Sequence, residues 1–79
     1  MKKPVYNPSL MQLKVYQFRV SHEEINGRIT SGSFAFLLGV NDKTLFRINK
    51  LMLLRDRTVK QISKVIGCDP NIFYSVEID

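Results

Sequence analysis

The sequence contains few of the residues from which disulfides, metal sites and catalytic centres are built. Its 79 residues include one cysteine, Cys68, and one histidine, His22. A single cysteine excludes an internal disulfide, and the two residues together are too few for a Cys/His zinc site. No nucleophile–base pair, paired carboxylates or glycine-rich phosphate loop accompanies His22, which we expect to be solvated. We therefore expect no enzyme activity, no metal and no cofactor.

Long apolar runs are also missing. The longest uncharged stretch, residues 29–41, is too short and too polar to span a bilayer. Lys2 and Lys3 are not followed by the apolar segment of a secretory signal. We expect a protein without a membrane partner, located in the reducing cytoplasm.

Acidic residues are scarce and unevenly placed. Twelve lysines and arginines against seven aspartates and glutamates give a net charge of +5. Eight of the basic residues lie between Arg28 and Lys64, whereas every charged residue after position 64 is acidic. This distribution indicates a surface that faces a polyanion, although solvated lysines alone would produce the same count.

The length and an apolar fraction of 44% indicate one small folded domain. We place this single domain at residues 9–79. Residues 1–8 contain two prolines and two lysines without periodicity, which predicts a flexible basic arm. Such an arm can lie along a phosphate backbone, or it can simply fray.

The segment from Ser9 to Val20 supports two structures. Leu10, Leu13, Tyr16 and Val20 form a helical stripe, for which Ser9 is a suitable N-cap. The β-branched and aromatic content of residues 13–20 is equally typical of a strand. Periodicity does not decide between helix and strand.

The next residues carry competing helix and hairpin signals. Ser21 and Glu24 have the spacing of a capping box, which predicts a short helix from His22 to about Asn26. Asn26 and Gly27 are also the strongest two-residue hairpin signal. Both structures remain open from the sequence.

Residues 31–49 are the most informative stretch. Their apolar positions do not fit one straight helix but fit two short helices that cross, with Gly39 in a left-handed turn and Val40 wedged beside it. This is the helix-turn-helix pattern. The residues predicted to face inward are Phe34, Ala35, Leu38, Leu45 and Ile48. Phe36 and Leu37 fall outside the pattern, so we expect them to pack on the N-terminal segment or on a second subunit.

The second helix of this pattern, about residues 42–50, has an outward face suited to a DNA major groove. Arg47 can bind guanine bidentately, Lys43 can reach a base edge or a phosphate, and Thr44 can contact thymine. Asn41 is its predicted N-cap and a further candidate for base contact. Phe46 lies near this face and suits either contact with thymine methyls or packing in the core or on a second subunit. The candidate phosphate contacts are Arg28, Thr30, Ser31, Ser33 and Lys50.

If this helix continued from residue 43 to residue 54, part of the apolar run at residues 51–54 would lie in the core and part outside it. Asp56 is the predicted cap of a further helix at Arg57–Ile66, which Gly67 ends. Val59, Ile62, Ser63 and Ile66 are expected to face inward. Residues 69–71 start a turn that leads either to a last helical turn or to a strand at 72–78. The alternating apolar residues of such a strand would pair with residues 13–20 or with a partner's copy.

Two stretches of the chain resemble the Cro-type, lambda-repressor-like (XRE-like) helix-turn-helix regulators. They are IT-SGSFAFLLGV-NDKTLFRI and TVKQISKVIGCDPNIF, which together cover about residues 29–73. Three features depart from the family pattern: Glu23 at an apolar position, Asn49 at an acidic one, and LMLL in place of a loop with glycine and proline. The resemblance implies DNA binding by the third helix, usually as a dimer, in regulators of phages, plasmids and other bacterial mobile elements.

The predicted fold is mainly α, a compact helix-turn-helix domain of four to five helices with short β-strands as an alternative at about 13–20 and 72–78. The predicted function is sequence-specific binding of double-stranded DNA by a homodimeric transcriptional repressor. One rival is a protein-interaction module, such as an antirepressor, inhibitor or antitoxin-like subunit, that uses residues 51–54 or 72–78. The other is an RNA-binding module, which the separation of aromatic from basic residues disfavours.

Overall fold

The structure, a computed structural model, describes residues 4–76. This part of the chain is mainly helical with one small antiparallel sheet, as the sequence predicts. In chain order the elements are β1 (Pro4–Tyr6), α1 (Pro8–Asn26), α2 (Ser31–Leu38), α3 (Asp42–Asn49), α4 (Asp56–Ile66), a 3-10 helix (Pro70–Phe73) and β2 (Tyr74–Val76).

The ambiguous N-terminal segment is one long helix. The alternative strand at 13–20 and the separate short helix beginning at His22 are therefore wrong. Asn7, rather than Ser9, caps α1 by accepting a hydrogen bond from the Leu10 N–H at 3.1 Å. No hairpin forms after Asn26, because the Gly27 N–H bonds to the Glu23 carbonyl at 2.8 Å and ends the helix.

The buried face of α1 differs from the predicted stripe. Met11 and Val15, four residues apart, are buried, and Phe18 packs partly against the same core. Leu13 and Tyr16 of the predicted stripe are 49% and 64% exposed. Burial of the 11–15–18 face favours a helix over the strand propensity of the same residues, since tertiary packing outweighs local preference.

The sheet joins the two ends of the described chain. β1 pairs antiparallel with β2, and Val5 lies opposite Ser75. The prediction of a flexible arm is therefore wrong for residues 4–6, and residues 1–3 lie outside the described part. The predicted strand at 72–78 is confirmed only for residues 74–76; residues 72–73 are helical, and 77–79 are outside the description.

One core connects the helices. Both helices of the predicted crossing place their inward residues in it, so the spacing argument for residues 31–49 is confirmed. Apolar burial of this kind contributes roughly 1.5–3 kcal/mol per large side chain. The buried hydrophobic residues are Met11, Val15, Phe34, Ala35, Leu38, Leu45, Ile48, Val59, Ile62 and Phe73.

α3 ends at Asn49, which confirms the predicted helix at about residues 42–50 and excludes its continuation through residue 54. The Met52 N–H bonds to the Arg47 carbonyl at 2.9 Å, and the Leu51 N–H to that of Ile48 at 3.2 Å. This is a Schellman termination, in which the residue after the cap is left-handed. That residue is Leu51, with φ of 58°. Residues 51–53 are exposed as a result, while Leu54 packs partly on the core.

α4 begins one residue earlier than predicted, and Asp56 is not its cap. Arg55 occupies the cap position without a side-chain hydrogen bond. Asp56 is the first helical residue, and its carboxylate accepts from the Tyr74 hydroxyl at 2.9 Å and pairs with Lys60 at 3.1 Å. The hydrogen bonds from Lys60 and then Tyr74 lower the pKa of Asp56. Predictions for the rest of α4 are confirmed at Val59, Ile62 and Ser63, which are buried, and at Gly67, which ends the helix; Ile66 is half-buried.

Tyr6 packs against the core and against the Tyr74 ring, whose centroid is 5.8 Å away. Its hydroxyl oxygen is buried without a hydrogen-bond partner among the described residues. Burial is the larger cause of the raised pKa of Tyr6, and the nearby Tyr74 raises it further. An unpaired buried hydroxyl costs stability, since it has lost water and gained no partner.

We expect Tyr6→Phe to raise the free energy of unfolding by about 1 kcal/mol at neutral pH, because it removes that hydroxyl. A folded-state pKa above the unfolded value of about 10 also means that stability falls as pH rises above about 10. In Tyr6→Phe, the free energy of unfolding should therefore fall less steeply as pH rises above about 10. Urea unfolding at pH 7 and pH 10.5 measures both effects, with Tyr16→Phe as the exposed control. Destabilisation of Tyr6→Phe at pH 7 would contradict the assignment.

Candidate nucleic-acid interface

The candidate interface is built on the tight turn between α2 and α3. Gly39 has φ of 76°, a left-handed conformation, and its N–H bonds back to the carbonyls of Ala35 and Phe36. Val40, the next residue, is partly buried, and its N–H donates a hydrogen bond to the Ala35 carbonyl at 3.0 Å. Asn41 then caps α3. Two eight-residue helices are thereby joined through a turn of three residues.

Gly39 also lies close to a side chain of α4. A Cβ at this position would lie 2.5 Å from Nε2 of Gln61 on α4. That amide donates to the Leu38 carbonyl at 3.5 Å, at the end of α2. A larger residue at position 39 would require the exposed Gln61 side chain to move.

Polar side chains of α1 hold the two far ends of the helix pair. Gln12 donates to the Asn49 carbonyl at 3.0 Å, at the end of α3. Arg19 donates to the Ile29 carbonyl at 2.8 Å, and Glu23 accepts from the Ile29 N–H at 3.1 Å. Glu23, which stands at an apolar position of the family pattern, thus fixes the loop that leads into α2.

Lys43 and Arg47 lie on the outward face of α3, one helical turn apart, and both are exposed. They stand between two surface depressions. One, of about 340 Å³, has an apolar side formed by Phe46 and Met52. The other, of about 300 Å³, is polar and basic and is lined by Asn41, Lys43, Thr44, Arg47, Leu54, Arg55 and Thr58. Neither cation forms an ion pair within residues 4–76.

The side chain of Asn41 is hydrogen-bonded to Thr44. The Asn41 side-chain oxygen accepts from the Thr44 N–H at 2.8 Å and from the Thr44 hydroxyl at 3.0 Å. Asn41 therefore retains only its amide donor for an outside partner, and the half-buried Thr44 retains its hydroxyl lone pairs. The donor–acceptor pair with which asparagine recognises adenine would require this cap to break.

The start of α2 is capped in a similar way. The Thr30 hydroxyl accepts from the Ser33 N–H at 3.2 Å and donates to the Ser33 hydroxyl at 3.0 Å. Ser31 and Arg28 are exposed beside it. An added Cβ on Gly32 would lie 3.9 Å from the Asp42 carboxylate, so the starts of α2 and α3 adjoin. This places the predicted phosphate contacts near Lys43, but with an acidic group between the two helix starts.

Lys50 and Phe46 form a pair at the other end of α3. The Lys50 ammonium lies 5.6 Å from the centre of the Phe46 ring, within cation–π range. Phe46 is 57% exposed, so the alternative that it packs in the core is wrong. Phe36 is 86% exposed and does not pack on the N-terminal segment.

Arg55 and Thr58 line the α3 depression but do not appear among the predicted site residues. A helix continued through residue 54 would hold Arg55 and Thr58 away from Arg47. Leu51 in a left-handed conformation reverses the chain and brings them beside α3 instead. The only sequence signal was the overall density of basic residues.

Comparison with protein-family models, with curated proteins and with solved structures finds no match to this chain. None of the helices within residues 4–76 has the length and apolar character needed to cross a membrane. Over the same residues, no three His, Cys, Asp or Glu side chains group closely enough to hold a metal ion. The functional proposal therefore depends on the geometry and charge of the residues themselves.

Gly39 and Leu51 are the two left-handed residues that flank α3. Substitutions at these two positions should change the stability of the protein in opposite directions. Gly39→Ala should lower the free energy of unfolding by about 1–2 kcal/mol, because alanine is strained at φ of 76°. Gly39→Asn should cost less, since asparagine tolerates this conformation. Leu51→Gly should raise the free energy of unfolding by about 1 kcal/mol by removing the same strain. Urea denaturation tests all three variants; a Leu51→Gly variant less stable than the parent would contradict the Schellman assignment.

Proposed function

We propose that this protein binds double-stranded DNA sequence-specifically and acts as a transcriptional regulator, with α3 in the major groove. The observation that carries the proposal is the construction of α3. Its inner face is buried through Leu45 and Ile48, and its outward face presents Lys43 and Arg47 to solvent. Caps at Asn41 and the Schellman turn hold the helix in place without using either cation. The basic face of α3 is already ordered, and its two cations form no ion pair within residues 4–76. Such a face suits the major groove of DNA, where base edges present hydrogen-bond acceptors.

The side chains divide into base-reading and backbone-binding roles. Arg47, near the middle of α3, is proposed to bind guanine through its guanidinium fork, and Lys43 to reach the adjacent base or its phosphate. Thr44 offers an acceptor and a methyl group, while Asn41 offers an amide donor. The apolar Phe46 and Met52 beside Arg47 suit the methyl group of thymine.

Backbone phosphates are assigned to both ends of the motif. Ser31 and Arg28 are exposed at the start of α2, where Thr30 and Ser33 cap the helix. Lys50 extends the basic face at the end of α3. Phosphate contacts set the position of the protein along the duplex, and the base contacts set its sequence preference.

A homodimer acting as a repressor is the form that the resemblance to the Cro-type regulators favours, in the cytoplasm of a bacterium or a phage-infected host. Two recognition helices would then enter successive major grooves about one helical turn apart. Phe36 and Leu53, 86% and 73% exposed, are among the most exposed apolar side chains of residues 4–76 and are available for subunit contact. Sedimentation equilibrium without DNA measures this association.

One observation favours the protein-interaction module as a second candidate. Leu51 keeps a strained left-handed backbone where glycine would be unstrained, and Leu51, Met52 and Leu53 are exposed together. Strain retained at an exposed apolar segment is typical of a functional surface. An antirepressor, inhibitor or antitoxin-like subunit would bind a protein through this segment and would show no salt-dependent affinity for DNA.

Salt-dependent DNA binding separates the candidates. We expect the protein to bind non-specific duplex DNA at 50 mM salt, with an affinity that falls steeply as salt rises, because bound cations displace counterions. Arg47→Gln should weaken binding about tenfold, whereas Lys14→Gln on α1, which removes the same charge, should change it less than twofold. Fluorescence anisotropy measures both. Equal affinities for the two variants, or no binding by the parent protein, would contradict the proposal.

A further inference from the structure

α4 has a basic face as well as a buried one. Val59, Ile62 and Ser63 are buried, while the residues at the intervening helical positions are exposed. The exposed set is Arg57, Lys60, Gln61 and Lys64. Their spacing of three and four residues places them on one side of the helix.

This side of α4 forms one wall of the largest surface groove among those described, with a volume of about 630 Å³. The opposite wall is the α2–α3 turn and the start of α3, formed by Gly39, Val40, Asn41 and Thr44. Side-chain donors line the space between the walls, since Thr58 and Gln61 also face it. The groove thus combines mobile cations with neutral hydrogen-bond donors, the combination that phosphate groups bind.

The groove is continuous with the α3 face. Asn41, Thr44 and Thr58 line both this groove and the smaller basic depression that contains Lys43 and Arg47. Within residues 4–76, six cations surround the combined surface, and no acidic side chain lines either part. The cations are Lys43, Arg47, Arg55, Arg57, Lys60 and Lys64.

Asp56 stands at the edge of this surface and offsets part of its charge. Its carboxylate pairs with Lys60 at 3.1 Å, and both side chains are largely exposed. The Tyr74 hydroxyl holds the carboxylate from the other side at 2.9 Å. Lys60 is therefore partly neutralised in the free protein, whereas Lys64 has no ion pair within residues 4–76.

We propose that α4 is a second DNA-contacting element, which holds the phosphodiester backbone along the groove while α3 reads bases. The inference rests on the proposed DNA binding and adds to it the residues Arg57, Lys60 and Lys64. From Arg57 to Lys64 the helix advances about 10 Å, at 1.5 Å per residue. A helix face of this length can reach only a short run of phosphates on one strand. These contacts carry no sequence information and act on any duplex.

The test compares single-charge variants in the full chain across a salt series. Lys64→Gln should remove about 0.9 from the slope of log affinity against log salt, so that the loss of affinity from 50 to 200 mM salt shrinks about threefold. The reduction should be the same on duplexes of different sequence. Lys14→Gln, the matched control on α1, should leave the slope unchanged. Circular dichroism confirms that each variant is folded.

Asp56→Asn should change the salt slope and the DNA affinity in the opposite direction to Lys64→Gln. The amide oxygen still accepts the Tyr74 hydroxyl, but the negative charge beside Lys60 is removed. We expect tighter DNA binding and a steeper salt slope. A decrease in affinity, in a variant that remains folded, would overturn the assignment of Lys60.

The outcomes separate this inference from the proposed function. If Lys64→Gln matches Lys14→Gln while Arg47→Gln weakens binding, α4 is not a contact and only the further inference is wrong. If Lys64→Gln lowers the slope while Arg47→Gln has no effect, the α4 contact is supported and the role of α3 is overturned. If the parent protein does not bind duplex DNA, both are overturned.

Discussion

The left-handed turn at Gly39 is the constraint on which the rest of the structure depends. It sets the direction in which α3 leaves α2, and therefore which face of α3 joins the core and which meets solvent. Leu45 and Ile48 are buried because of this direction, and Lys43 and Arg47 are exposed for the same reason. The close approach of Gln61 to the glycine also positions α4 beside the turn.

Polar side chains from α1 and α4 reinforce this geometry at three points. Gln12 binds the end of α3, Arg19 and Glu23 bind the loop before α2, and Gln61 binds the end of α2. Each bond satisfies a backbone group near a helix terminus or in a loop, where the helical pattern leaves donors or acceptors unpaired. The helix pair is thus held from outside as well as by its apolar seam.

The sequence was sufficient for the helix pair, because its signals are local. Inward spacing, the glycine of the turn and the Asn41 cap all act within a few residues, and the structure contains all of them. The candidate face of α3 follows from the same periodicity. Its exposure is confirmed, while its binding of DNA remains a proposal.

The errors arose where distant contacts decide the structure. Residues 13–20 have strand propensity, but burial of Met11 and Val15 against the other helices makes them helical. The pairing of β1 with β2 joins residues about seventy positions apart, and no local pattern specifies it. Leu51 violates the usual preference for glycine at a left-handed cap, so the position of Arg55 was not foreseen.

The same geometry makes α3 and α4 parts of one basic surface, since the turn that directs α3 also forms a wall of the α4 groove. Electrostatic attraction by such a surface is long-ranged at low salt and independent of sequence. Base reading by α3 would then act on a duplex already held by its backbone.

Mapping the interface residue by residue tests the account most directly. In a titration of the isotope-labelled protein with a duplex of about 16 base pairs, amide chemical shifts report which elements meet DNA. We expect the largest changes at residues 41–50 and 57–64. Changes concentrated instead on the exposed side of α1, around Leu13 and Tyr16, or on residues 51–53 alone, would contradict it.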